Sequence, residues 1–126
     1  MAIVAEVEKE YKVDPKRVYL TGLSMGGFGT WSLAIKDPTR WAAIVPICGG
    51  GDAKQAAKIK DLPCWCFHGD ADPAVAVGMS RTMIQALKDA GGQPKYTEYP
   101  GVGHNSWDKA YATPDLYKWL LSQQRK

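Results

Sequence analysis

Ser24 stands in the run Gly22-Leu23-Ser24-Met25-Gly26. Gly-x-Ser-x-Gly between a strand and a helix forms a turn so tight that glycines must flank the serine, and its hydroxyl stands clear of the backbone. A serine hydroxyl is a weak nucleophile until a base takes its proton. The chain has two histidines. His104 lies in Gly101-Val102-Gly103-His104-Asn105-Ser106-Trp107, a glycine-punctuated loop, and is read as the general base. His68 lies in His68-Gly69-Asp70-Ala71-Asp72 and is read as structural, its ring bonded within the loop so that it holds the acid.

The base needs a carboxylate to fix its tautomer and to stabilise the imidazolium. Asp70 and Asp72 compete. Asp72 lies further into the loop, can reach the next strand end and is preferred; Asp52 and Asp108 are the outlying alternatives. The Met25 N–H, at the head of the next helix, is the expected oxyanion donor. Gly26, Gly27 and Gly29 are expected to bring that helix close to the sheet. Trp107 either packs under the histidine loop or forms a pocket wall. Gly49-Gly50-Gly51 is no phosphate loop, because no Gly-Lys-Ser/Thr follows. It reads as a turn near the site, lining the acyl or alcohol pocket.

The three cysteines, Cys48, Cys64 and Cys66, give no complete disulfide framework and are read as buried free thiols. Cys64, Cys66 and His68 would share one strand face, formally a three-ligand metal set. Alternation along a buried strand favours packing over ligation there. No metal and no cofactor is expected.

These residues need a frame. The spacing of Ile3, Val4, Val7 and Tyr11 predicts a helix over about 2–12, broken at Asp14-Pro15. Strands are expected over 17–21, 41–47, 63–67 and 95–99. Helices are expected over 25–36, 52–60 and 79–90, with a last one capped by Thr113 and opened by Pro114. Strands alternating with helices predict a parallel α/β sheet of about four strands, flanked by helices on both faces. Sites in such sheets form beyond the carboxyl ends of the strands. Ser24, the loop from His68 to Asp72, and His104 all fall at that edge.

The bulk properties set limits. The 126 residues are 45% hydrophobic and 23% charged, with a formal charge of +3 spread along the chain. They read as one globular domain over 1–126, with no nucleic-acid motif. No stretch approaches the roughly 20 apolar residues of a membrane span. No signal peptide is read, so the expected location is cytoplasmic by default.

Three motifs in order, Thr21–Gly27, His68–Val75 and Gly103–Trp107, resemble the α/β-hydrolase superfamily. The similarity is to the C-terminal half of bacterial carboxylesterases of the prolyl-oligopeptidase-like, feruloyl-esterase and polyhydroxybutyrate-depolymerase-like groups. The resemblance implies Asp72 as the catalytic acid. It implies a serine carboxylesterase that hydrolyses short-chain esters through an acyl-enzyme on Ser24, with His104 as base. It also implies that a second oxyanion donor, normally upstream, is absent, so that activity is weak. The elbow strand would then be an edge, and homodimerisation or higher assembly through that edge or an uncovered apolar face is expected. The alternatives are a catalytically weak or inactive fragment acting as an assembly module, and a peptidase or other acyl-transfer enzyme.

Overall fold

The computed structural model describes residues 14–125. The helix expected over 2–12 lies outside the described residues. Four strands, β1 (Tyr19–Leu23), β2 (Ala43–Ile47), β3 (Trp65–Gly69) and β4 (Lys95–Tyr99), form one parallel sheet in the order β1-β2-β3-β4. Helices α1 (Met25–Lys36), α2 (Gly78–Asp89), α3 (Trp107–Tyr111) and α4 (Pro114–Leu121) connect or follow the strands. Shorter 3-10 segments occupy Pro15–Arg17 and Ala53–Ile59.

The run Ala-Ile-Val-Pro-Ile of β2 is buried at every position, as a central parallel strand covered on both faces requires. Its side chains split by period two between two cores. Ile44 joins Trp31, Ile59, Cys64, Cys66, Met83 and Leu87 on the face covered by α1, α2 and the 53–59 segment. Val45 and Ile47 join Phe67, Ala110 and Leu116 on the face covered by α3 and α4. The sheet is therefore the middle of three layers.

Boundaries differ from the sequence expectation where local chemistry intervenes. The first strand begins at Tyr19 rather than Arg17, because Asp14 accepts from the Lys16 amide at 2.9 Å and winds Pro15–Arg17 into a 3-10 turn. The third begins at Trp65 and runs on to Gly69, so His68 belongs to the strand itself. Helix α3 is not among the helices expected from the sequence; its five residues are too few to show an apolar period. Thr113 turns its hydroxyl back to the Lys109 carbonyl at 2.8 Å and makes no side-chain cap, although Pro114 does open α4. Among the described residues no helix is long and apolar enough to cross a membrane.

Candidate active site

The elbow is built by backbone contacts. Ser24 has φ 54 and ψ −116, a conformation costly for a side chain with a β-carbon. Its amide bonds the Ile47 carbonyl at 3.0 Å, and its carbonyl accepts from the Gly27 and Phe28 amides at 2.9 and 3.1 Å. A β-carbon at Gly22 would collide with the Gly26 carbonyl, and one at Gly27 would collide with the Ile47 carbonyl. Gly27 thus brings α1 onto the sheet. Gly26 and Gly29 face open space, so the close approach expected from all three glycines comes from one.

The loop after β3 folds around Asp72. Its Oδ1 accepts from the Ala74 and Val75 amides, both at 2.8 Å. Its Oδ2 accepts from His104 Nδ1 at 2.7 Å. The Asp72 side chain is fully buried and that of His104 about a quarter exposed. Burial alone would push the Asp72 carboxyl up. The His104 bond and the Val75 and Ala74 amides outweigh it and hold the carboxyl below its ordinary value. Asp70 is engaged elsewhere, its Oδ1 accepting from the Gly101 amide at 2.7 Å.

With Nδ1–H donated to a carboxylate, the Nε2 lone pair of neutral His104 faces the other way. There it meets the Ser24 hydroxyl at 2.8 Å. The three residues follow β1, β3 and β4 and converge at the carboxyl edge of the sheet. Trp107 sets its ring edge-on to His104, with centroids 5.3 Å apart and planes at 88°. The indole thus packs against the histidine loop. Met25 heads α1, and its side chain is exposed.

His68 is fully buried and makes two ring contacts. Nε2 bonds the Val75 carbonyl at 2.8 Å, so it carries the proton. Nδ1 therefore accepts from the Ser80 hydroxyl at 2.7 Å. Cys64 and Cys66 lie in the core cluster, where burial raises both thiols, that of Cys66 to about 12.

The residue missing from the sequence reading of the site is Cys48. It follows β2 at the same sheet edge, in a left-handed conformation with φ 43. Its Sγ accepts from the Ser24 amide at 3.3 Å. Cys48, Asp72 and His104 each bring a sulfur, oxygen or nitrogen atom into a group spanning no more than 4.8 Å. Those three are the donors a cation could use among the described residues, but the Asp72 oxygens and the His104 nitrogens already bind each other and their neighbours. Burial pushes the Cys48 thiol up, and the Ser24 amide lowers it by less. The usable signal in the sequence was position alone, one residue beyond an apolar strand-length run.

Comparison with known proteins places this site among hydrolases. The model of the dienelactone hydrolase family matches residues 1–115. A bifunctional acetylxylan esterase/xylanase, XynS20E, from Neocallimastix patriciarum is 38% identical over 88 residues, which is 69% of this chain and 13% of that protein. Poly(3-hydroxyalkanoate) depolymerase C from Paucimonas lemoignei is 42% identical over 79 residues, 63% of this chain and 19% of that one. The crystal structure of a thermostable esterase superposes with a TM-score of 0.96 at 41% identity, covering 98% of this chain and 35% of the esterase. The chain thus spans less than a fifth of these two curated relatives and about a third of the esterase. Acylaminoacyl peptidase from Pyrococcus horikoshii shares the fold, with a TM-score of 0.82 at 16% identity. The fold is therefore that of the α/β-hydrolase superfamily, related to several of its hydrolase families.

The expected serine carboxylesterase is corrected by these findings. That description, with its acyl-enzyme on Ser24, took the serine as nucleophile and read Cys48 only as a buried free thiol. The cluster places Cys48 with Asp72 and His104, and the matching family model is that of dienelactone hydrolases. They support a hydrolase whose site contains the Cys48, Asp72 and His104 cluster.

Proposed function

Because the chain belongs to the dienelactone hydrolase family, we propose that it is a hydrolase of small ester or lactone substrates, with His104 as its base and Asp72 as the orienting acid. The observation that carries this reading is the His104 ring, held by Asp72 at 2.7 Å on one side and turned to a hydroxyl at 2.8 Å on the other. The site residues of the proposal are Ser24, Cys48, Asp72 and His104, with the Met25 amide as oxyanion donor and Trp107 fixing the base. A helix N-terminus at the elbow favours negative charge on a carbonyl oxygen there.

The two candidate attacking groups differ in setting. The Ser24 hydroxyl is the one hydrogen-bonded to Nε2. The Cys48 sulfur is fully buried beneath the Ser24 amide, and its raised thiol is protonated at neutral pH. Attack requires the proton to pass to Nε2 and then to the leaving oxygen, and water follows the same route in release.

The test is hydrolysis of p-nitrophenyl acetate and of a small lactone by the wild type and by His104→Ala, Asp72→Asn, Ser24→Ala and Cys48→Ala. Loss of roughly 10²–10⁴ in turnover is expected for His104→Ala and Asp72→Asn. Of Ser24→Ala and Cys48→Ala, the variant that matches His104→Ala identifies the attacking group. Wild-type rates in the His104 and Asp72 variants would overturn the proposal.

The assembly reading rests on β1, which pairs with β2 alone in the described sheet and leaves its other side as an edge. We propose that a second copy, or a further segment of a longer chain, covers it. For this chain in isolation, a monomer in sedimentation at high micromolar concentration would exclude the second copy.

A further inference from the structure

We infer that Asp70, the carboxylate that does not meet the base, is a positioning residue: it holds the loop that carries His104 against the loop that carries Asp72. Its effect on turnover rests on the hydrolase reading above, but the geometry it maintains can be read without a substrate.

The base and the acid sit on different loops, so the 2.7 Å bond between them requires those loops to keep a fixed spacing. The acid loop leaves β3 at Gly69 and the base loop leaves β4 at Tyr99, two residues that lie opposite each other in the sheet. The backbones touch there. A β-carbon on Gly69 would stand 2.2 Å from the Val102 carbonyl oxygen and 2.6 Å from that of Gly103. Two backbone bonds carry the contact past the sheet. The Asp70 amide donates to the Tyr99 carbonyl at 3.1 Å, and the Ala71 amide donates to the Val102 carbonyl at 3.0 Å.

Between those two rungs the base loop makes a tight turn. Pro100 and Gly101 are its middle residues, and the Val102 amide reaches back to the Tyr99 carbonyl at 3.4 Å. That bond is long. Gly101 has φ 71, the left-handed value that a type II turn demands at its third residue. Glycine there is also the residue type with the most conformational freedom. The turn's own bond leaves the Gly101 amide unused, and Asp70 Oδ1 accepts from it at 2.7 Å, shorter than either backbone rung. A carboxylate acceptor makes such a bond stronger than a neutral one does.

Among the described residues, two side-chain bonds join the loops: Gly101 to Asp70 and His104 to Asp72. Asp70 is exposed and stands two residues before the acid, while Gly101 stands three before the base. Without the Asp70 carboxylate the turn keeps only its long bond and the two rungs. Any shift then passes along Val102-Gly103 to His104, and a β-carbon at Gly103 would meet nothing within 4 Å, so no packing there resists it.

Proton NMR on the protein without substrate tests this. The His104 Nδ1–H, donated to a buried carboxylate, should give a low-field resonance, identified by its loss in His104→Ala. Asp70→Ala should broaden or abolish that resonance. Asp70→Asn, which keeps an oxygen acceptor, should retain it. In ester hydrolysis, kcat of Asp70→Ala should fall between about tenfold and a hundredfold with KM little changed, because acid and base are misplaced while substrate contacts remain. Asp70→Asn should recover most of that loss. In the Asp72→Asn background, Asp70→Ala should cost little more, since the contact it protects is already gone. A wild-type resonance and kcat in Asp70→Ala, equal losses in the Ala and Asn variants, or a full further loss on top of Asp72→Asn would overturn the inference. If the wild type turns over no ester, the hydrolase reading fails and the resonance alone decides the role of Asp70.

Discussion

His68 Nε2 lies 3.4 Å from Asp72 Oδ2, the oxygen that His104 Nδ1 contacts at 2.7 Å. One carboxylate oxygen thus faces both histidines of the chain, and both the His68 and the Asp72 side chains are fully buried. The second histidine is not a spare base. Its ring joins β3 to the Val75 carbonyl and the Ser80 hydroxyl, and so fixes the loop that carries the acid.

Replacing His68 by alanine should therefore reach the site through the loop. The Val75 carbonyl and Ser80 hydroxyl lose their partners, and the expected cost is about 2 kcal/mol or more. Chemical denaturation reads the stability loss. Turnover should fall as well, with the pH profile changed in shape because Asp72 is less firmly held. An unaltered midpoint would show that the loop does not depend on this ring.

Acid stability should depend on an ion pair away from the site. The two Glu98 oxygens accept from Arg81 at 2.8 and 2.7 Å, and Oε1 also accepts from the Tyr96 hydroxyl at 2.7 Å. The Arg81 and then the Tyr96 bonds lower the Glu98 carboxyl from 4.5 to about 2. A carboxyl lowered by folding contributes stability that is complete above its unfolded value and is lost as the pH falls through the folded one. The window is therefore from about pH 4.5 down to about pH 2. Arg81→Gln should lower the melting temperature above that window, and the difference from wild type should shrink within it. A difference that is constant with pH would count against the pair.

Two glycines two residues apart in α1, Gly27 and Gly29, should respond with opposite signs. Gly27→Ala places a methyl group against the Ile47 carbonyl, which belongs to the backbone and cannot step aside. The expected loss is roughly 1–3 kcal/mol. Gly29→Ala meets nothing within 4 Å and lies inside α1. Its expected gain is about 0.5–1 kcal/mol from the helix alone. Equal effects of the two in thermal unfolding would refute the close approach at Gly27.

The fold was legible because its signals are local and periodic. The apolar run ending at Ile47 was read as a strand covered on both faces of a parallel sheet, as it is, and Lys95–Tyr99 and Met25–Lys36 were read at their observed limits. The order of strands and helices placed Ser24, Asp72 and His104 at one sheet edge before any distance was known. Helix α3 was not legible, since five residues carry too little pattern. Asp72 was preferred over Asp70 from its place in the loop, and the coordinates show what each carboxylate bonds: Asp72 the His104 ring and Asp70 the Gly101 amide.

Sequence by itself determined the parallel α/β frame, the elbow at Ser24 and the edge at which its chemistry gathers, because strand ends follow from the chain's own alternation. Tertiary structure decided that Cys48 belongs to that gathering. Its place is set by β2 lying beside β1, which brings a residue 24 positions along the chain to within 3.3 Å of the Ser24 amide. No spacing rule along one chain encodes that distance; it arises when two parallel strands end side by side.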